Sequence, residues 1–172
     1  MGAVEFAMIA PLLLMLYLTA FEVTVGLSVT KRTARAASAI ADLTTQVNAV
    51  DKATLETMGD VASAIFAPYS TENLAIEITA LKIDSTRKAL VDWSWAQDGH
   101  AAHTTGTEYD LPSDIAVPDS FLVHVRVSIP HQILMFMPSL VPASVKNITI
   151  SREYFFRQRV DSSVACSDCP TS

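Results

Sequence analysis

The chain has 172 residues, half of them hydrophobic and only 17% charged, with a formal net charge of −6. Its mean hydropathy of +0.31 is high for a soluble domain and points to a segment that meets lipid, while the length bounds the rest to one modest domain. The acidic balance argues against nucleic acid as a partner, because phosphate binding needs a basic surface and the local basic cluster is confined to Lys31, Arg32 and Arg35.

Residues 1–30 read as a transmembrane helix. Between Glu5 and Lys31 the only charged side chain is Glu22, and Ala7 to Ala10 and Leu12 to Leu16 are almost unbroken apolar runs. A helix from Ala3 to Val29 is long enough to cross a hydrocarbon core about 30 Å thick. A secretory signal peptide would show a basic start, a shorter apolar region and a small-residue cleavage site, and the segment fits none of these well. Lys31, Arg32 and Arg35 then read as a headgroup anchor.

Residues 31–69 read as a helical stalk and a second helix. Ala36, Ile40, Leu43, Val47 and Val50 alternate at steps of four and three, so the first helix is expected to continue to about Asn48 as a rod roughly 70 Å long, with Gly26 the expected place for a bend. Asp51 can cap a second helix that carries Leu55, Met58, Val61, Ala62 and Ile65 on one face and stops near Pro68, where Pro68-Tyr69-Ser70 reads as a turn.

From Asn73 the period falls to two, and residues 70–160 read as a small antiparallel sheet. Leu74, Ile76, Ile78 and Ala80 mark one strand, Val91, Trp93 and Trp95 a second, and Phe121, Val123, Val125, Val127 and Ile129 a third. A fourth runs from Lys146 to about Arg159 with an unclear phase that suggests a bulge. Ser85-Thr86-Arg87 between the first two is short enough for a hairpin, and residues 97–119 read as a loop. Ile133 to Met137 is apolar between prolines; it reads as core if folded over the sheet, and as a contact surface for another subunit if exposed. The implied class is α+β: a long helix, a shorter one and about four strands buried on one face only.

Residues 161–172 read as a polar tail. Its Cys166-Ser167-Asp168-Cys169 lacks a second pair of ligands at zinc-site spacing, and it does not open a helix in a βαβ unit as a thioredoxin-type pair would. A disulfide in an oxidising compartment is the better reading, with reduced thiols the alternative.

Little else suggests chemistry. The sequence has no Gly-rich phosphate loop, no His-Glu-x-x-His and no Gly-x-Ser-x-Gly. His100-x-x-His103 lies in a polar loop without an obvious third ligand, His124 is expected on the polar face of its strand with Arg126, and Asn147-Ile148-Thr149 is a glycosylation pattern common by coincidence. No enzyme activity, cofactor or metal is expected. The informative residue is Glu5, because a carboxylate at the start of a membrane helix needs a partner or an aqueous position. Glu22 lies roughly 26 Å further along at 1.5 Å per residue, near the opposite interface.

The run Gly2-Ala3-Val4-Glu5-Phe6-Ala7-Met8-Ile9-Ala10-Pro11-Leu12-Leu13-Leu14, with Phe21-Glu22 beyond it, resembles the amino-terminal segment of the TadE-like minor pilins, or pseudopilins, of bacterial tight-adherence (Flp) pilus machines. Ala67-Pro68-Tyr69-Ser70 and Tyr154-Phe155-Phe156-Arg157-Gln158-Arg159, ahead of a polar Cys tail, are also similar. The resemblance implies a pilin-like fold and a structural role in pilus assembly. Its implied partners are other pilin subunits, the inner-membrane assembly machinery, the lipid bilayer and a prepilin peptidase that leaves Met1 first and Glu5 fifth in the mature chain. It also implies that Met1, Glu5 and Glu22 act in subunit assembly, that Phe6, Pro11, Leu13 and Phe21 belong to the membrane helix, and that Cys166 and Cys169 are a candidate disulfide.

The expected location is the bacterial inner membrane, single-pass, with the amino terminus cytoplasmic and the C-terminal part periplasmic or carried out in the pilus. The basic residues after the helix would by themselves favour the opposite orientation, whereas the Cys pair favours export. Two other classes stand beside this one: a membrane-tethered binding module, and, more distantly, a thiol oxidoreductase using Cys166 and Cys169.

Overall fold

A computed structural model describes residues 2–97, 103–132 and 147–169. The first helix, α1 (Gly2–Thr45), runs as one element through both Pro11 and Gly26 and ends three residues before the expected Asn48. Pro11 has no N–H to offer the carbonyl of Ala7, so one rung of the helix is missing inside the apolar stretch. After β1 (Ala49–Val50) comes α2 (Lys52–Phe66), opened as expected by Asp51, whose Oδ1 accepts from the Thr54 amide at 2.8 Å. It ends at Ala67, ahead of a cis Ala67–Pro68 bond.

Five strands form the main sheet in the order β4-β3-β2-β5-β6: β2 (Ala75–Ile83), β3 (Ala89–Ala96), β4 (Glu108–Tyr109), β5 (Phe121–Gln132) and β6 (Asn147–Arg157). Every pairing in it is antiparallel. The fifth strand is β4, which lies in the stretch read as loop and pairs with Ala89 and Leu90 of β3. Two residues are too few for alternation to show in the sequence.

The helices cover one face of this sheet. On it Ile76, Ile78, Ala80, Trp93, Trp95, Val123, Val125 and Val127 meet Ala36, Ile40 and Ala41 of α1 and Leu55, Ala62 and Phe66 of α2. The buried stripe of α1 is Val29, Thr33, Ala36, Ala37, Ile40, Ala41, Thr44 and Thr45, so the expected Leu43 and Val47 fall outside it and are exposed. Small residues lie closest to the sheet because they let the helix backbone approach it. Thr33, Thr44 and Thr45 are tolerated there because each hydroxyl donates to a carbonyl one turn earlier. In α2, Leu55, Met58 and Ala62 are buried as expected and Ile65 packs half-buried against the core, while Gly59 and Phe66 are buried in addition and Val61 is half-buried.

The other sheet face is not left to solvent as the alternation suggests. The bulge expected in β6 is absent, since β5 and β6 pair in one register from Leu122↔Arg157 to Gln132↔Asn147. It lies between β2 and β3: Ala80 faces Trp93, yet Leu81 faces Val91, leaving Asp92 as the extra residue. Val91 is thereby turned away from Trp93 and joins Leu81, Ile83, Ala89 and Leu122 in a second small core, closed by Tyr109, Leu111 and Phe155.

The segment from 161 onward, polar by composition, is tied back to the head. Val164 is fully buried and its carbonyl accepts from Trp93 Nε1 at 2.7 Å. β7 (Ala165–Cys166) pairs in parallel with β1, and Asp168 Oδ1 accepts from the Lys52 amide at the start of α2. The apolar stretch Ile133 to Met137, His100 and Met1 lie outside the described residues.

Candidate functional site

Residues 2–20 of α1 are exposed apart from half-buried Ala10 and Leu18. Glu5, Phe6, Pro11, Leu13 and Phe21 are all exposed, as are Val4, Met8, Leu12 and Leu16. A soluble domain rarely shows so continuous an apolar surface. α1 is the one helix among the described residues that is long and apolar enough to cross a membrane, and its most apolar stretch is wholly uncovered by the head. Glu22 is half-exposed near the lower edge of the head. Among the described residues Glu5 has no ion-pair partner.

Higher up, α1 passes from an exposed stretch to one covered by the head. Val25 is partly covered by the core, Val29 is buried, and from there the helix lies along β5 and β6. Arg32 is not free to act as a headgroup anchor: its guanidinium donates to the Ile65 carbonyl at the end of α2 and sits 5.3 Å from the Tyr69 ring centroid. A cation there offsets the unpaired carbonyls and the negative end of the α2 dipole. Lys31 and Arg35 are exposed, and Arg35 lines a groove of about 600 Å³ between α1 and β6 with Ala34, Ser38, Asp42, Tyr154 and Phe156.

The far face of the sheet carries a polar network that sequence alternation did not reveal. His124, expected at the surface, is completely buried. Its ring stacks on Phe155 at 4.5 Å, Nδ1 lies 3.1 Å from the Tyr109 hydroxyl and Nε2 lies 3.3 Å from Glu153 Oε2. A carboxylate only accepts, so Nε2 carries the proton and Nδ1 accepts from Tyr109. Burial holds the imidazole below its ordinary 6.5 and therefore neutral at pH 7, and burial also pushes the Tyr109 hydroxyl up. Arg126 bonds Glu153 Oε2 through Nη2 at 3.0 Å and lies 3.7 Å from Glu77 Oε2, which keeps the Glu153 carboxyl below its usual range. His103 Nε2 sits 2.8 Å from Glu77 Oε1, an ion-pair distance without hydrogen-bond alignment. Glu77, Tyr109 and Glu153 each stand alone in sequence, so nothing local signals that they converge.

Each of these groups is committed to a neighbour, which suits a structural network better than a reacting one. Cys166 and Cys169 are joined as a disulfide, and with Asp168 their ligand atoms lie within 4.8 Å of one another. A metal there would need thiolates that the bonded sulfurs do not offer.

Comparison with known families bears on the bare helix. Residues 1–42 match the model of the TadE-like protein family. The amino-terminal helix is TadE-like. The match covers α1 almost to its end and stops before β1, so it takes in the exposed apolar stretch together with the part of the helix that docks on the head. No curated protein and no solved structure gives a match to the chain. The match and the exposed apolar stretch together fit a single membrane pass.

Proposed function

We propose that the protein is a minor pilin or pseudopilin that acts in assembly of a bacterial tight-adherence pilus, at its initiation, base or tip. The observation that carries this reading is the uncovered apolar half of the TadE-like helix, joined without a break to a stalk packed on an α+β head. Such a helix can be stored in lipid and later exchange lipid for the helices of other subunits, since both surroundings are apolar.

In this reading the head lies on the periplasmic side of the inner membrane, and Glu5 meets the amino terminus of a neighbouring subunit as the helices bundle. Burying a carboxylate or an ammonium alone is costly, so their pairing sets the register between subunits. Met1 supplies that amine once a prepilin peptidase has acted, and Glu22 lies near the opposite interface.

Glu5→Ala is expected to leave the protein in the membrane fraction and to abolish pili seen by electron microscopy; normal pili in that strain would refute the pairing. Replacing residues 3–29 with an unrelated membrane span separates this reading from a tethered binding module. The module would keep its function with the substitute span, and a pilin would lose it.

A further inference from the structure

The head is tied to α1 at its top and comes near it again lower down, close to where the apolar stretch ends. At the top, Arg159 pairs with Asp42 at 3.0 Å and its amide bonds the Thr45 carbonyl. At the bottom, a β-carbon placed on Gly26 would lie 3.9 Å from His131 Nε2. The β5–β6 hairpin thus runs beside the helix down to the level of Gly26, with Ile148 paired directly to His131 and Asn147 to Gln132.

The depth of that end follows from helix geometry. A hydrocarbon core of about 30 Å takes about 20 residues, so a span that starts at Ala3 ends close to Glu22. Gly26 is four residues further on, about 6 Å above the core and inside the headgroup layer. Side chains at this level are apolar and uncovered: Val23 is 56%, Leu27 57% and Ile148 44% exposed. Both ends of the sheet carry charges of both signs. Asp84, Asp92 and Asp119 line a cleft at the opposite end together with Lys82, whereas Lys31 and His131 lie toward the span together with Glu22 and Glu72.

We propose that the described end of the β5–β6 hairpin, His131 and Gln132 on one strand and Asn147 and Ile148 on the other, seats in the headgroup layer of the membrane that α1 crosses. The head is then held against the lipid surface with the β2–β3 turn outward, in a fixed orientation to the helix. The inference rests on α1 spanning the bilayer.

The sequence holds two cysteines, and these are bonded to each other, so a single introduced cysteine can be labelled uniquely without reductant. The full chain would be reconstituted in vesicles of phosphatidylethanolamine and phosphatidylglycerol, with a fluorophore at Ile148→Cys, at Ser85→Cys in the opposite turn, or at Leu13→Cys within the span. Lipids spin-labelled at the headgroup should quench the label at 148 about threefold more than the label at 85, since groups at an interface sit within about 5–10 Å of the headgroup boundary. Equal quenching at the two positions, whether weak or strong, would overturn the proposal. Quenching of the Leu13 label by lipids spin-labelled on the acyl chain reports the span separately, so a failure of the seating is distinguishable from a failure of the membrane pass.

Discussion

Ile40 tests whether α1 is a structural part of the head as well as an anchor. Its side chain is fully buried where the stalk meets the sheet. Ile40→Ala removes three carbons, worth about 2.4 kcal/mol at about 0.8 kcal/mol per buried methylene. The unfilled space adds to this, and buried Ile→Ala changes span roughly 2–5 kcal/mol, so about 3 kcal/mol is expected. For a chain of this size that lowers Tm by about 10 °C. Leu43 lies three residues on but is 40% exposed, so Leu43→Ala should cost less than about 1 kcal/mol. The assay is thermal unfolding of the full chain in detergent micelles, followed by the fluorescence of Trp93 and Trp95, which are buried in the same core. Micelles hold the apolar part of α1 helical, so this signal reports the head. If Ile40→Ala melts within about 2 °C of the parent, or Leu43→Ala is equally harmful, the stalk is not docked as described.

Further outcomes follow from the two polar contacts that sequence patterning missed. Burial lowers the His124 pKa below 6.5, so the unfolded chain binds the extra proton first. Stability is therefore full above 6.5 and falls as pH drops from there toward the folded-state value; denaturant titrations at several pH values should show this slope, and His124→Phe should flatten it. Glu153 works at lower pH in the same direction, because Arg126 holds its carboxyl below 4.5 and the stabilisation is lost as pH falls through the depressed value. Trp93→Phe removes the indole N–H that reaches the buried Val164 carbonyl, which should cost about 1–3 kcal/mol and speed hydrogen exchange at the Ala165 amide.

Much of the candidate site is legible in the sequence. The apolar run from Ala7 to Leu16, Glu5 and Glu22 on either side of it and the Ala-Val-Glu-Phe-Ala motif lie within one short stretch of the chain, and an apolar helix of that length needs no long-range partner to be recognised. The docking of that helix is less legible. The spacing that picks Leu43 and Val47 as inward residues is sound for an isolated helix, but the sheet selects the neighbouring stripe of Ala37, Ala41 and Thr44, where a close backbone approach is allowed.

Sequence alone determined the α+β class, the long helix, the Asp51 cap and the period-two strands, because each depends on which side chains recur along a few consecutive residues. Tertiary structure decided the rest. Alternation cannot say that Asp92 is an extra residue that turns Val91 to the other face, since this follows only from pairing with β2. Nor can it bury His124, which becomes acceptable once Tyr109, Glu153 and Phe155, all distant in sequence, supply its hydrogen bonds and its stacking partner. The level at which His131 nears Gly26 is likewise a property of the assembled fold: sequence shows the apolar run, and only the packing of β5 and β6 beside the helix shows how near the head comes to it.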